Sequence, residues 1–176
     1  MPTLLTITGP IAAGKNTIAD LLAESLVRSG RTVVIADVDD VADMVGPPGA
    51  GAAGLWFDAH RAHGALVGSW MRSAVDVVIT VGPIYTPDEQ DALYQQLPPD
   101  TVPLRILIDA PLSATWQRVT ANPDRGLSRQ REFHQSAHAR YRSLKPGIPA
   151  DLSFDSGDRS ATDIATAILG AADLLD

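Results

Sequence analysis

The residues best equipped for chemistry lie together at Gly9-Pro10-Ile11-Ala12-Ala13-Gly14-Lys15-Asn16-Thr17. Two glycines frame a turn whose successive backbone N–H groups can point inward, at the positive end of the helix that follows. Such a turn cradles phosphate oxygens, and Lys15 would reach the outer ones as a point charge. In the usual form of this loop a Ser or Thr hydroxyl follows the lysine and ligates Mg²⁺. Here Asn16 holds that place and Thr17 comes one residue later, so the Asn16 amide oxygen or the Thr17 hydroxyl is the candidate metal ligand. A turn that merely joins a strand to a helix explains the glycines but not the lysine. Of 14 basic residues only Lys15 and Lys145 are lysines. The candidate nucleotide-binding set is therefore Gly9, Ala12, Ala13, Gly14, Lys15, Asn16 and Thr17.

A second group is acidic: Asp37-Val38-Asp39-Asp40, at the end of a β-branched run. Moving a phosphoryl group to a hydroxyl requires a carboxylate to orient that hydroxyl and take its proton, and Mg²⁺ to offset phosphate charge. Helix capping is the competing role, with Asp39 or Asp40 starting a short helix near Val41. The run Val77-Val78-Ile79-Thr80-Val81 ends without an acid, and Asp76 sits at its entry. Magnesium would then depend on Asp37, Asn16 or Thr17, and through water on Thr80.

A third group is basic. Arg118, Arg125, Arg129 and Arg131 crowd a polar stretch of an otherwise acidic chain. Arg125 and Arg129, four apart, share a face if the segment is helical. Guanidinium forks match the equatorial oxygens of a phosphoryl group in transfer; a solvated charged surface is the plainer alternative. The Gly82-Pro83-Ile84-Tyr85-Thr86 loop should border the acceptor, Tyr85 offering a ring with a polar tip. The helix before it carries Trp56, Phe57, His60, His63 and Trp70, read mainly as core. The pairs His60/His63 and His134/His138 have helical spacing but lack a carboxylate partner for zinc. With only Arg61 and Arg72 on that wall, a neutral hydroxylated acceptor fits better than a nucleoside monophosphate.

These groups need positioning elements, and the pattern supplies them. Strands are expected at Leu4–Thr8, Thr32–Asp37, Val75–Val81, Leu104–Asp109 and Leu152–Asp155. Helices are expected at Lys15–Ser29, Asp39–Val45, Leu55–Ala74, Pro87–Leu97, Leu112–Ala121 and Ala161–Leu175, with a flexible Gly/Ala loop at Ala50–Gly54. The alternation implies a parallel sheet with helices on both faces, an α/β three-layer architecture. A length of 176 residues fits one domain, 1–176. Cysteine is absent, which excludes disulfides and thiol catalysis. The net charge of −7 argues against a nucleic-acid partner. No stretch reads as a membrane span or signal peptide, so a cytoplasmic protein is expected.

The loop at Gly9–Thr17, in a chain of five expected strands and without guanine-reading or switch motifs, resembles the nucleoside-monophosphate-kinase-like group of P-loop kinases. Shikimate kinase, gluconate kinase and chloramphenicol phosphotransferase belong to it. The resemblance implies a five-stranded parallel sheet of order 2-3-1-4-5, ATP with Mg²⁺, and an Arg-bearing lid at about 122–142. It implies that Asp37 helps hold the metal and that Asp39 meets the acceptor hydroxyl, with Asp37 a competing base. Lys15, Asp37, Asp39, Arg125 and Arg129 are thus the candidate catalytic residues, and Arg118 joins the nucleotide contacts. The segment Phe154–Asp158 would pass the adenine. The function implied is transfer of the ATP γ-phosphate to a hydroxylated small molecule, by a monomer or homodimer. A nucleoside or nucleotide kinase and a non-catalytic nucleotide-binding regulator are the alternatives.

Overall fold

In the computed structural model, which describes residues 1–46, 51–123 and 126–174, β1 spans Thr3–Thr8 and leads through the Gly9–Gly14 turn into α1, Lys15–Arg28. The chain continues with β2 (Val33–Asp37), α2 (Val38–Ala42), α3 (Trp56–Trp70), β3 (Val77–Val81), α4 (Pro87–Tyr94) and β4 (Leu104–Asp109). It closes with α5 (Leu112–Ala121), α6 (Arg131–Leu144), β5 (Leu152–Asp155) and α7 (Ala161–Ala171). The five strands form one parallel sheet in the order β2-β3-β1-β4-β5.

Alternation along the strands divides the core in two. Leu5, Ile7, Ile79 and Ile106 face α1 and α7, meeting Ile18, Leu22, Ile164 and Ile168. Leu4 and Val78 face the other way, toward Val67, Met71 and Leu93 of α3 and α4. Register brings Asp37 beside Val81 and Asp109 beside Asp155. The carboxyl ends of the strands therefore share one edge, where ligands bind in open α/β sheets.

Two helical glycines set the α3–α4 contact. A Cβ at Gly64 would lie 2.1 Å from the Ala92 carbonyl oxygen, and one at Gly68 2.2 Å from that of Gln96. Arg72 seals the seam, donating to the carbonyls of Gly68 (2.7 Å) and Gln96 (2.8 Å).

Three expectations change. The polar stretch expected as a lid at about 122–142 is helix α6 from Arg131 onward. His134, His138 and Tyr141 form its buried face. His138 Nε2 meets the Ala110 carbonyl at 3.0 Å, and the guanidinium of Arg142 reaches Asp109 (2.9 Å) and the same carbonyl (2.9 Å). Lys145, the second lysine, also binds Asp109, so its place is structural. Second, the Gly/Ala stretch holds a turn at Gly51–Gly54, and Ala52 packs with Val41, Ala42 and Ala59; Pro47–Ala50 lie outside the described residues. Third, the aromatic helix is not all core: Phe57 is 48% and Trp70 38% exposed. Among the described residues no helix is long and apolar enough to cross a membrane.

Candidate active site

At the carboxyl edge of the sheet the Gly9–Lys15 loop wraps the start of α1. Gly14 caps that helix in a left-handed conformation (φ 94°), and open space lies where its Cβ would be. Ala12 is also left-handed, at φ 56°, which costs a residue with a Cβ about 1–2 kcal/mol. Gly9 is required by proximity, because a Cβ there would lie 1.9 Å from the Ile108 carbonyl oxygen. Lys15 Nζ donates to the carbonyls of Gly9 (3.1 Å) and Pro10 (2.9 Å), on the loop it belongs to. None of α1's own residues in its first turn is acidic, so the helix itself sets no negative charge against an anion at its positive end.

The loop is fastened from three sides. Tyr85, buried, donates its hydroxyl to the Gly9 carbonyl at 2.7 Å. The Arg118 guanidinium donates to the Ala12 carbonyl (3.2 Å) and to the hydroxyl (2.9 Å) and carbonyl (2.7 Å) of Ser156. Ser156 in turn donates to the Ala13 carbonyl at 2.7 Å.

Asn16 Nδ2 donates to Asp37 Oδ2 at 2.7 Å, joining the loop to the end of β2. Because a carboxylate only accepts, the amide nitrogen faces Asp37 and the amide oxygen is left for another partner. Asp37 Oδ1 accepts from the Asp39 backbone N–H at 2.9 Å, so the cap of α2 is Asp37, not Asp39 or Asp40. Asp39, in the first turn, keeps its side chain exposed at the crevice. Partial desolvation in the crevice, and then the neighbouring Asp37 charge, raise its pKa above the ordinary carboxylate value; Lys15 opposes them. Thr17 is exposed on the first turn of α1.

Thr80 is committed elsewhere. His63 Nε2 lies 3.0 Å from the Ala36 carbonyl and 3.2 Å from Thr80 Oγ1. The carbonyl can only accept, so Nε2 carries the hydrogen. Burial pushes His63 toward the neutral form, with the Ala36 bond acting against it. His60, one turn earlier and buried, stacks edge-on against Trp56. Among the described residues no group of three or more His, Cys, Asp or Glu is placed to hold a metal by itself.

Sequence reasoning missed one ion pair on the acceptor side, between a buried carboxylate and a half-exposed guanidinium. Glu89 accepts from the backbone N–H groups of Tyr85 (2.7 Å) and Thr86 (2.9 Å) and from Arg140 (2.8 Å). Burial would push Glu89 up, but these donors outweigh it and hold the carboxyl below its ordinary value. The Arg140 guanidinium lies over the Tyr85 ring, 5.4 Å from its centre. The Thr86-x-x-Glu89 capping box was a legible signal; Arg140, 51 residues away, was not. Arg61 lines a surface groove of about 320 Å³ with Phe57, Asp88 and Asp91. Arg129 donates to the Pro123 carbonyl at 3.3 Å and is exposed, and Arg131 lies over Trp116. Arg125 lies outside the described residues.

No protein-family model and no curated protein matches the chain. Solved structures do. Shikimate kinase from Acinetobacter baumannii, in complex with shikimate, superposes with a TM-score of 0.65 at 20% identity, covering 97% of this chain and 93% of that one. The APS kinase of Mycobacterium tuberculosis, in complex with AMPPNP and APS, gives 0.64 at 15% identity over 98% and 99%. The tunicamycin resistance protein of Deinococcus radiodurans gives 0.64 at 13% identity over 99% and 98%. The fold is that of the P-loop kinases. The Gly9–Lys15 turn lies between β1 and α1, where the sequence predicts the phosphate loop (P-loop), and the expected strand order is the one observed.

Proposed function

We propose that the chain is an ATP-dependent phosphotransferase that moves the γ-phosphate to a hydroxyl of a small molecule. The observation that carries this reading is the Asn16–Asp37 bond. It ties the P-loop to the acidic end of β2, setting a phosphate cradle beside a carboxylate pair.

In this reading the P-loop N–H groups hold the phosphates, and Lys15 leaves its own loop for the outer oxygens. Asp39 accepts the acceptor's hydroxyl proton as the new O–P bond forms. The bond between the γ-phosphorus and the bridging oxygen breaks, and ADP leaves. Asp37 sets the start of α2 and so the direction of Asp39. The residues fit Mg²⁺ in the way it usually binds beside phosphates, through few protein oxygens. The Asn16 amide oxygen and Asp37 would hold it, and the ion would offset phosphate charge. Arg129, with Arg125, would cover the phosphates and exclude water.

A neutral hydroxylated acceptor is supported by the charge balance of its wall. Arg140 is paired with Glu89, and Arg72 is spent on helix carbonyls. The test is ADP release from MgATP across a panel of polyols, hydroxy acids, antibiotics and nucleosides. Acceptor-dependent release that Lys15→Ala abolishes without unfolding supports the proposal. Nucleosides as the best acceptors would move it to a nucleoside kinase, and ATP binding without release to any acceptor would leave a regulator.

A further inference from the structure

Three carbonyls of the P-loop, those of Gly9, Ala12 and Ala13, are each engaged by a donor from outside the loop. Tyr85, from the β3–α4 connection, takes the Gly9 carbonyl at 2.7 Å. Ser156, from the β5–α7 connection, takes that of Ala13 at 2.7 Å, and Arg118 that of Ala12 at 3.2 Å. We propose that Tyr85 and Ser156 are positioning residues for phosphate binding: they hold these carbonyls outward, and Tyr85 frees Lys15 to leave the loop. The inference rests on the phosphate-binding reading given above.

The role of Tyr85 follows from an inventory of donors. Lys15 Nζ now binds the carbonyls of Gly9 and Pro10. When it swings to a phosphate, both must keep a donor or be left bare, and a bare buried carbonyl is costly. Pro10 retains the Ala13 N–H at 3.2 Å, and Gly9 retains the Tyr85 hydroxyl. Burial first, and then the nearby Tyr141, push Tyr85 far up, so its hydroxyl stays a donor throughout the working range. The ring cannot drift, because Glu89 holds the Tyr85 backbone N–H and Arg140 covers one face. Ser156 acts at the strained end of the turn. Its hydroxyl accepts from Arg118 and donates to the Ala13 carbonyl, next to left-handed Ala12.

A purely base-contacting role for the Ser156 loop makes a different prediction, which separates the two. The probes are inorganic tripolyphosphate, ATP and adenosine, their affinities measured by titration calorimetry and, for adenosine, saturation-transfer NMR. Tyr85→Phe keeps the ring and removes only the hydroxyl; Ser156→Ala removes the other donor. Each should weaken tripolyphosphate and ATP by the same factor, about three- to tenfold for one hydrogen bond. Adenosine should bind as to wild type, and Ser156→Thr should restore tripolyphosphate affinity to within about twofold. Loss of adenosine affinity alone would assign Ser156 to the base, and unchanged tripolyphosphate affinity in both variants would remove the positioning role. Failure of the threonine to rescue would mean simple loop collapse and also overturn it. A wild type that binds neither tripolyphosphate nor ATP would instead sink the phosphotransferase reading, and this inference with it.

Discussion

Replacing Glu89 by glutamine changes one oxygen for an amide nitrogen at a site where three donors converge. Glu89 is 5% exposed, and its two oxygens accept from the N–H groups of Tyr85 and Thr86 and from Arg140. An amide offers one acceptor oxygen and one donor group, so it can serve the backbone pair or the guanidinium but not both. A hydrogen bond to a charged group contributes about 1.5–3 kcal/mol, with the upper part discounted here because Arg140 is half exposed. The expected loss is about 1.5–2 kcal/mol, which for a chain of this size lowers Tm by roughly 3–8 °C. The assay is thermal unfolding followed by circular dichroism at pH 7, repeated from pH 8 to pH 3. Glu89 lies below its ordinary value of 4.5 in the folded chain. Its contribution is therefore complete above the unfolded-chain value and is lost as pH falls through the lower, folded one. The gap between wild type and variant should stay constant down to about pH 5 and close below it. A Tm change under about 2 °C at pH 7 would refute the reasoning. So would a gap that widens as the solution is acidified.

Asp39→Asn should lower kcat by roughly 10²–10⁴-fold with ATP affinity little altered, as for loss of a general base. Because Asp39 is raised and must be ionised to act, the wild-type rate should fall with acid above the ordinary carboxylate range. In Asp37→Asn that limb should move to lower pH, because a neighbouring charge that raises Asp39 is gone; an unmoved limb would reassign the base. Asn16→Ser, which restores a hydroxyl, should reduce the Mg²⁺ needed for half-maximal activity; a higher requirement would show the amide to be the better ligand. Arg129→Ala should cut kcat more than tenfold at nearly unchanged Tm, and a near-normal kcat would leave Arg129 a surface charge.

What the sequence disclosed depended on the range over which each signal acts. The β1–turn–α1–β2 unit is written locally, in a buried strand, two glycines, a helical repeat and a β-branched run, and the structure reproduces it. The tie between Asn16 and Asp37 was not legible, because an amide and a carboxylate 21 residues apart are neighbours only after β2 joins the sheet. The capping role went to Asp37 rather than Asp39 because α2 starts directly at Val38, with no linker after β2. Helix α6 was hidden by its composition: its buried face is two histidines and a tyrosine, which read as polar. Those histidines are buried without being ligands. His138 binds a strand-end carbonyl, and His134 Nε2 lies 2.9 Å from Thr115 Oγ1. Tyr85 was placed in the acceptor wall, yet its hydroxyl turns inward to Gly9, since Glu89 fixes the backbone just before the helix cap.

The glycine seam between α3 and α4 bears on how this protein would choose among acceptors. With Gly64 and Gly68 against the Ala92 and Gln96 carbonyls, and Arg72 bridging the seam, the two helices are locked backbone to backbone. One carries His60 and His63, and the other begins at the Tyr85–Glu89 corner. The two helices beside the proposed acceptor crevice therefore form a single rigid jaw. A larger acceptor would gain no room by parting these two helices. Selection by such a jaw is by outline, not by accommodation. Any side chain added at the seam would force the jaw itself apart, so the seam is the last place at which the specificity of this chain could be widened.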